Sequence, residues 1–122
     1  ATSAALAGVG RPTALIAGGD GKGQDFAPLA NAVAAHARAV VLIGRDGPRI
    51  AACLADTGVP LLHAADMVEA VARAYGCVSA GESVLLSPAC ASFDMYRDYA
   101  HRAEAFAEAV RRLARSLEVP AR

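Results

Sequence analysis

Five consecutive apolar residues, Ala39 to Ile43, three of them β-branched, close on Gly44 and set the folding problem for the whole chain. A strand that is apolar on both faces cannot lie on a sheet with one wet side, so it needs cover above and below. Three shorter runs repeat the theme: Ala14 to Ala17, ending at Gly18 and Gly19; Val59 to His63, after Gly58; and Ser83 to Leu86. Helical patterns separate them. Pro28 to Ala37 places Leu29 and Val33 on one face, and another helix starts near Pro48, which suits a first helical position. Asp66 can cap a helix in which Met67, Val71 and Tyr75 share a face. A last helix runs from about Asp98, with Phe106, Val110, Leu113 and Leu117 as its buried stripe. Strands alternating with helices predict an α/β fold, a mostly parallel sheet with helices on both faces. At 122 residues this is a single domain.

In such a sheet, ligands bind outside the carboxyl ends of the strands. Three loops occupy that edge: Gly18 to Phe26, Gly44 to Gly47, and Ser87 to Tyr99. Four glycines and one cation, Lys22, fill the first loop. Glycines let backbone N–H groups turn toward a ligand unobstructed, so the loop is suited to a carboxylate or a phosphate. It is not a P-loop, because Ile16 and Gly23 stand where Gly and Ser or Thr are required. It is not a dinucleotide fingerprint either, since the third Gly is misplaced.

Small residues follow the strand directly in the third loop, so the Ser92 hydroxyl and nearby backbone N–H groups can approach a ligand closely. No Gly-x-Ser-x-Gly surrounds Ser92, which makes it a donor rather than a nucleophile. Cys90 has no sequence-adjacent histidine and reads as a small buried thiol. Arg45 and Asp46 decorate a tight turn. Phe93, Tyr96 and Tyr99 adjoin Ser92, and one ring could wall a pocket.

Composition removes several function classes. Twelve basic and twelve acidic residues give formal neutrality, unlike a nucleic-acid binder, and Arg111, Arg112 and Arg115 read as a solvated helix face. No apolar stretch reaches the length of a membrane span, and no signal peptide is visible. Cys53, Cys77 and Cys90 form no Cys-x-x-Cys pair, and His36, His63 and His101 share no ligand spacing. That argues against structural zinc and for a reducing, cytoplasmic setting.

The segment Gly18 to Phe26, together with Leu85-Leu86-Ser87-Pro88-Ala89-Cys90-Ala91-Ser92-Phe93-Asp94, resembles the carboxy-terminal domain of the D-glutamate-adding Mur ligases. These are the UDP-N-acetylmuramoyl-L-alanine:D-glutamate ligases of peptidoglycan synthesis. The resemblance extends from Ala1 through Arg102 and Phe106, and the Asp-Asn-Pro-Arg signature of diamino-acid ligases is missing. It implies a Rossmann-like sheet spanning residues 1–122 that holds D-glutamate. It also implies a cytoplasmic, monomeric, ATP- and Mg²⁺-dependent enzyme that phosphorylates the carboxylate of UDP-N-acetylmuramoyl-L-alanine, whose acyl phosphate D-glutamate then attacks.

By the same resemblance, Lys22 pairs with one glutamate carboxylate. Ser92 and the backbone of Phe93 hold the other, Tyr99 lies alongside, and Asp20 and Arg102 are neighbours of the site. No catalytic, cofactor-binding or metal-binding residue is implied in this domain. ATP and Mg²⁺ belong mainly to a central domain, and the UDP-substrate to an amino-terminal one. An Asp-Ser-Lys-Ala-Thr-Asn segment usual in the family falls upstream of Ala1, and the usual Gly after Arg102 is Ala103. The chain thus reads as a fragment, inactive alone. The alternative is a stand-alone anion- or nucleotide-binding regulatory module, and the sequence upstream of Ala1 would separate the two.

Overall fold

The computed structural model describes residues 2–18, 27–44, 47–86 and 99–118; for residues 2–5, 27–28, 99 and 118 only the backbone is described. Its elements in chain order are α1 (Thr2–Val9), β1 (Thr13–Gly18), α2 (Ala27–His36), β2 (Ala37–Ile43), α3 (Gly47–Leu54), β3 (Leu61–His63), α4 (Met67–Cys77), β4 (Ser83–Leu86) and α5 (Tyr99–Glu118). A 3₁₀ turn, Ala55–Thr57, follows α3 and ends on Gly58 in the left-handed conformation.

The four strands form one sheet in the order β3-β2-β1-β4, with every pairing parallel. Alternate residues of β1 and β2 feed two cores, as the double-sided apolar pattern requires. Leu15, Ala17, Val40 and Leu42 pack with Leu6 of α1, Leu29 and Val33 of α2, and Ile50 and Leu54 of α3. On the other face Ala14, Ile16, Val41 and Ile43 pack with Met67, Ala70, Val71 and Ala74 of α4 and Ala109 of α5. The chain thus steps from β1 to β2 to β3 across one face and returns to β4 across the other. Reversing direction while keeping right-handed crossovers demands that change of face.

The expected α/β architecture is therefore present, with local differences. Helix α1 escaped the sequence reading because its small residues give almost no amphipathic contrast; only Leu6 anchors it in the core. Tyr75 does not share the buried face of α4 and is 49% exposed, while Ala70 and Ala74 are buried. Eight residues on from Met67, Tyr75 stands about 80° round the helix from it. In α5, Val110 and Leu117 are exposed, and the deeply buried positions are Arg102 and Ala109. Small alanines line this seam and let α5 pack closely, a signal invisible to a search for bulky side chains. Val59 and Pro60 precede β3 rather than joining it, although the Pro60 carbonyl still accepts from Val40 N–H.

The capping of α4 is as expected. Asp66 accepts a hydrogen bond from Glu69 N–H at 2.9 Å, and the Glu69 carboxylate accepts one from Ala65 N–H at 2.6 Å. This reciprocal pair satisfies otherwise orphaned donors. Asp66→Ala should cost about 1 kcal/mol, read as a shifted urea midpoint at constant m-value. A midpoint that does not move would show the cap to be energetically idle.

Candidate functional site

Helices α2, α3 and α4 each carry the chain from one parallel strand to the next, so their amino ends lie at the carboxyl edge, and α5 follows the carboxyl end of β4 in the sequence. The amino terminus of a helix offers free N–H donors and a positive partial charge. At α4 the Asp66 side chain takes up one of those donors, Glu69 N–H, and Glu69 adds a negative charge to the first turn. The first turns of α2, α3 and α5 hold no acidic residue, and those of α3 and α5 hold Arg49, His101 and Arg102. Sequence reasoning treated His101 as an isolated histidine; its place in the first turn of a long helix was the available signal.

The strand order puts a topological switch point at this edge. Connections run from β1 through β2 to β3, then return to β4 on the far side of β1, so the order reverses between β1 and β4. Such a switch point opens a crevice between loops that depart in opposite directions. Ile16 pairs with Leu86 and Gly18 with Ile43. The segments following β1, β4 and β2 therefore start from adjacent strands, roughly 4.8 Å apart. These are the three loops singled out in the sequence.

Lys22, Asp20, Ser92 and Phe93 lie outside the described residues, as do Cys90, Arg45 and Asp46. Their flanking positions, Gly18, Gly44 and Leu86, are described. Tyr99 is the first residue of α5, described by its backbone alone. Arg102, one turn further, is 7% exposed. Gly18 is fixed by sterics: its φ is +151°, and a Cβ there would collide with the Ile43 carbonyl oxygen. Only glycine lets β1 run this close to β2 as it enters the Lys22 segment.

A cleft of about 790 Å³ lies at the opposite, amino-terminal edge, with Arg11, His36, Arg38, Gly58 and Cys77 in its wall. Its cations serve the structure. Arg11 donates to the Gly81 carbonyl at 3.4 Å, while Arg38 donates to the Cys77 carbonyl at 3.3 Å and pairs with Glu82 at 3.2 Å. Helix carboxyl ends gather at this edge, and their partial negative charge disfavours an anion.

The arginine run of α5 is a solvated face. Arg111 and Arg115 are exposed and both bond Glu108, whose carboxyl is held below its usual range by the Arg111 hydrogen bond first and the Arg115 bond second. Among the described residues, no group of three His, Cys, Asp or Glu side chains could hold a metal ion, and no helix is long and apolar enough to cross a membrane.

With this geometry in place, comparison with known proteins is informative. A family model described as Mur ligase, glutamate ligase domain, matches residues 1–90. The UDP-N-acetylmuramoylalanine--D-glutamate ligase of Ralstonia nicotianae is 64% identical over 114 residues, covering 93% of this chain and 23% of that protein. The protein of the same name from Bordetella avium is also 64% identical over 114 residues, 93% of this chain and 22% of its own length. That of Nitrosospira multiformis is 58% identical over 111 residues, 91% and 24% respectively. The chain spans about a quarter of the length of these curated relatives.

Proposed function

Because the chain belongs to the Mur ligase family through its glutamate ligase domain, we propose that it is the D-glutamate-holding domain of an amide-forming ligase. The full reaction joins D-glutamate to UDP-N-acetylmuramoyl-L-alanine in peptidoglycan synthesis, in the cytoplasm, by a monomeric enzyme. ATP phosphorylates the L-alanyl carboxylate, the D-glutamate amine attacks the acyl phosphate, and phosphate leaves as the amide forms. ATP and Mg²⁺ are assigned mainly to the rest of the enzyme, as the family resemblance implies.

What supports this reading is that β1 and β4, the strands that the Lys22 and Ser92 segments follow in the sequence, lie side by side and parallel at the switch point. D-glutamate has two carboxylates and one reacting amine. A lysine ammonium on one side and neutral donors on the other can hold both carboxylates at once. The amine is then the group left free to face an acyl phosphate. Lys22 takes one carboxylate; Ser92 and the Phe93 backbone take the other. The Tyr99 ring walls the site, with Asp20 and Arg102 beside it. Rate enhancement from this domain comes from orientation, which turns a bimolecular encounter into a fixed near-attack geometry.

Phosphate release tests the proposal. This chain alone, given ATP, UDP-N-acetylmuramoyl-L-alanine and D-glutamate, should release none, whereas the full-length protein should release phosphate in step with D-glutamate. Turnover by the chain alone, or a full-length protein indifferent to D-glutamate, would refute it.

A further inference from the structure

Arg38 stands where the sheet breaks its own register. Thr13 pairs with Ala37 and Ala14 with Ala39, so Arg38 is an extra residue in β2 without a paired residue on β1. Strand alternation would send its side chain to the side of Val40 and Leu42, which pack with α2 and α3. It goes the other way. The Arg38 Nε donates to the carbonyl of Cys77, the last residue of α4, at 3.3 Å, and lies 3.2 Å from the Glu82 carboxylate, just ahead of β4. Bulges re-aim side chains in this manner.

Three further bonds meet in the same turn. Arg11, ahead of β1, donates to the Gly81 carbonyl at 3.4 Å, Ser83 N–H donates to the Pro12 carbonyl at 3.1 Å, and Ser79 N–H donates to the Glu82 carboxylate at 2.8 Å. Among the described residues β4 has one neighbouring strand, β1, and it is half-buried at all four positions. So short a strand has few ladder bonds to hold its place. Arg38 adds a tie that the ladder cannot, because it comes from β2, on the far side of β1 in the sheet order. The pair is partly shielded from water, with Glu82 15% and Arg38 49% exposed.

We propose that Arg38 is a positioning residue: the bulge turns it onto the α4–β4 turn, where its guanidinium clamps the entry of β4 to β2 and so sets where β4 delivers the segment that follows it, which carries Ser92. The proposal rests on the functional reading above and deepens it. A cation beside the last carbonyl of α4 also meets the negative end of that helix. A cap of that kind alone would steady α4 and leave β4 untouched. Arg38 lies at the amino edge of the sheet and acts through β4, without touching the substrate.

The test compares full-length ligase carrying Arg38→Ala or Arg38→Lys with the wild type, by hydrogen exchange and steady-state kinetics. In Arg38→Ala the amides of Ser83 to Leu86 should exchange about threefold to tenfold faster, and KM for D-glutamate should rise by a similar factor, the scale of one lost hydrogen bond. The kcat should stay within about twofold, with KM for ATP unchanged. Arg38→Lys keeps the charge without the planar fork, so it should fall between the two, and it decides alone if the Ala variant does not fold. Faster exchange confined to the end of α4 would make Arg38 a helix cap and overturn the proposal. So would a loosened β4 with an unchanged KM for D-glutamate, where Lys22→Ala impairs D-glutamate kinetics. If Lys22→Ala leaves those kinetics unchanged as well, the glutamate site itself is misplaced and the role of Arg38 falls with it.

Discussion

Replacing Lys22 with alanine in the full-length enzyme should lower kcat/KM for D-glutamate by about 30-fold to a few thousand-fold. Removing one partner of a desolvated charge pair costs roughly 2–5 kcal/mol, mostly because the other charge stays buried and unpaired. At about 1.4 kcal/mol per tenfold, that range gives the stated loss. The motivating feature is a lone ammonium between Gly21 and Gly23, in the segment that leaves β1 at the switch point. A lysine between glycines has little to pack against, so stability should change by no more than about 0.5 kcal/mol. Unchanged D-glutamate kinetics would remove Lys22 from the site. A large fall in melting temperature would make it a structural residue instead.

The largest expected effect on stability is at Gly18. Gly18→Ala puts a methyl group against the Ile43 carbonyl oxygen, at a φ of +151° that L-residues rarely adopt. Backbone strain of this kind costs about 1–3 kcal/mol, and overpacking adds about 1–3 kcal/mol. Relief requires β1 and β2 to separate at Gly18↔Ile43, the end of the best-buried pairing in the sheet. The melting temperature of this chain should fall by about 10 °C or more. The same separation would displace the start of the Lys22 segment, so D-glutamate binding should weaken as well. A variant that melts with the wild type would mean that this edge relaxes freely. It would then be too soft to orient a substrate.

How much of this could be read in the sequence follows from what each residue had to signal. The continuous apolar run of β2 announced a two-sided sheet because no other environment accepts it, and Ser83 to Leu86 was found to the residue. Helix α4 was legible through Asp66, whose cap is local chemistry. Helix α1 was not, because Ala-rich segments carry no periodic contrast. Of the stripe read for α5, Phe106 and Leu113 pack on the core while Val110 and Leu117 are exposed, because bulk was taken as the marker of burial and the deepest positions are Ala109 and Arg102. Strand order was beyond reach for a different reason. It is set by which helix crosses which face, so the β1–β4 switch point emerged only from the structure. The loops themselves were conspicuous, since a single lysine set among Gly19, Gly21 and Gly23 stands out in a strand–helix connection.

The most direct measurement is an amide-resolved NMR titration of this chain with D-glutamate. A small ligand in an open half-site gains few contacts, so the affinity should be weak, about millimolar. Saturable shifts should cluster at Gly18, the segment carrying Lys22, Gly44, the segment carrying Ser92 and Phe93, and Tyr99 to Arg102. The amino-edge cleft around Arg11, Arg38 and Cys77 should stay silent. Shifts confined to that cleft, or a response to nucleotide with none to D-glutamate, would contradict a glutamate site at the carboxyl edge.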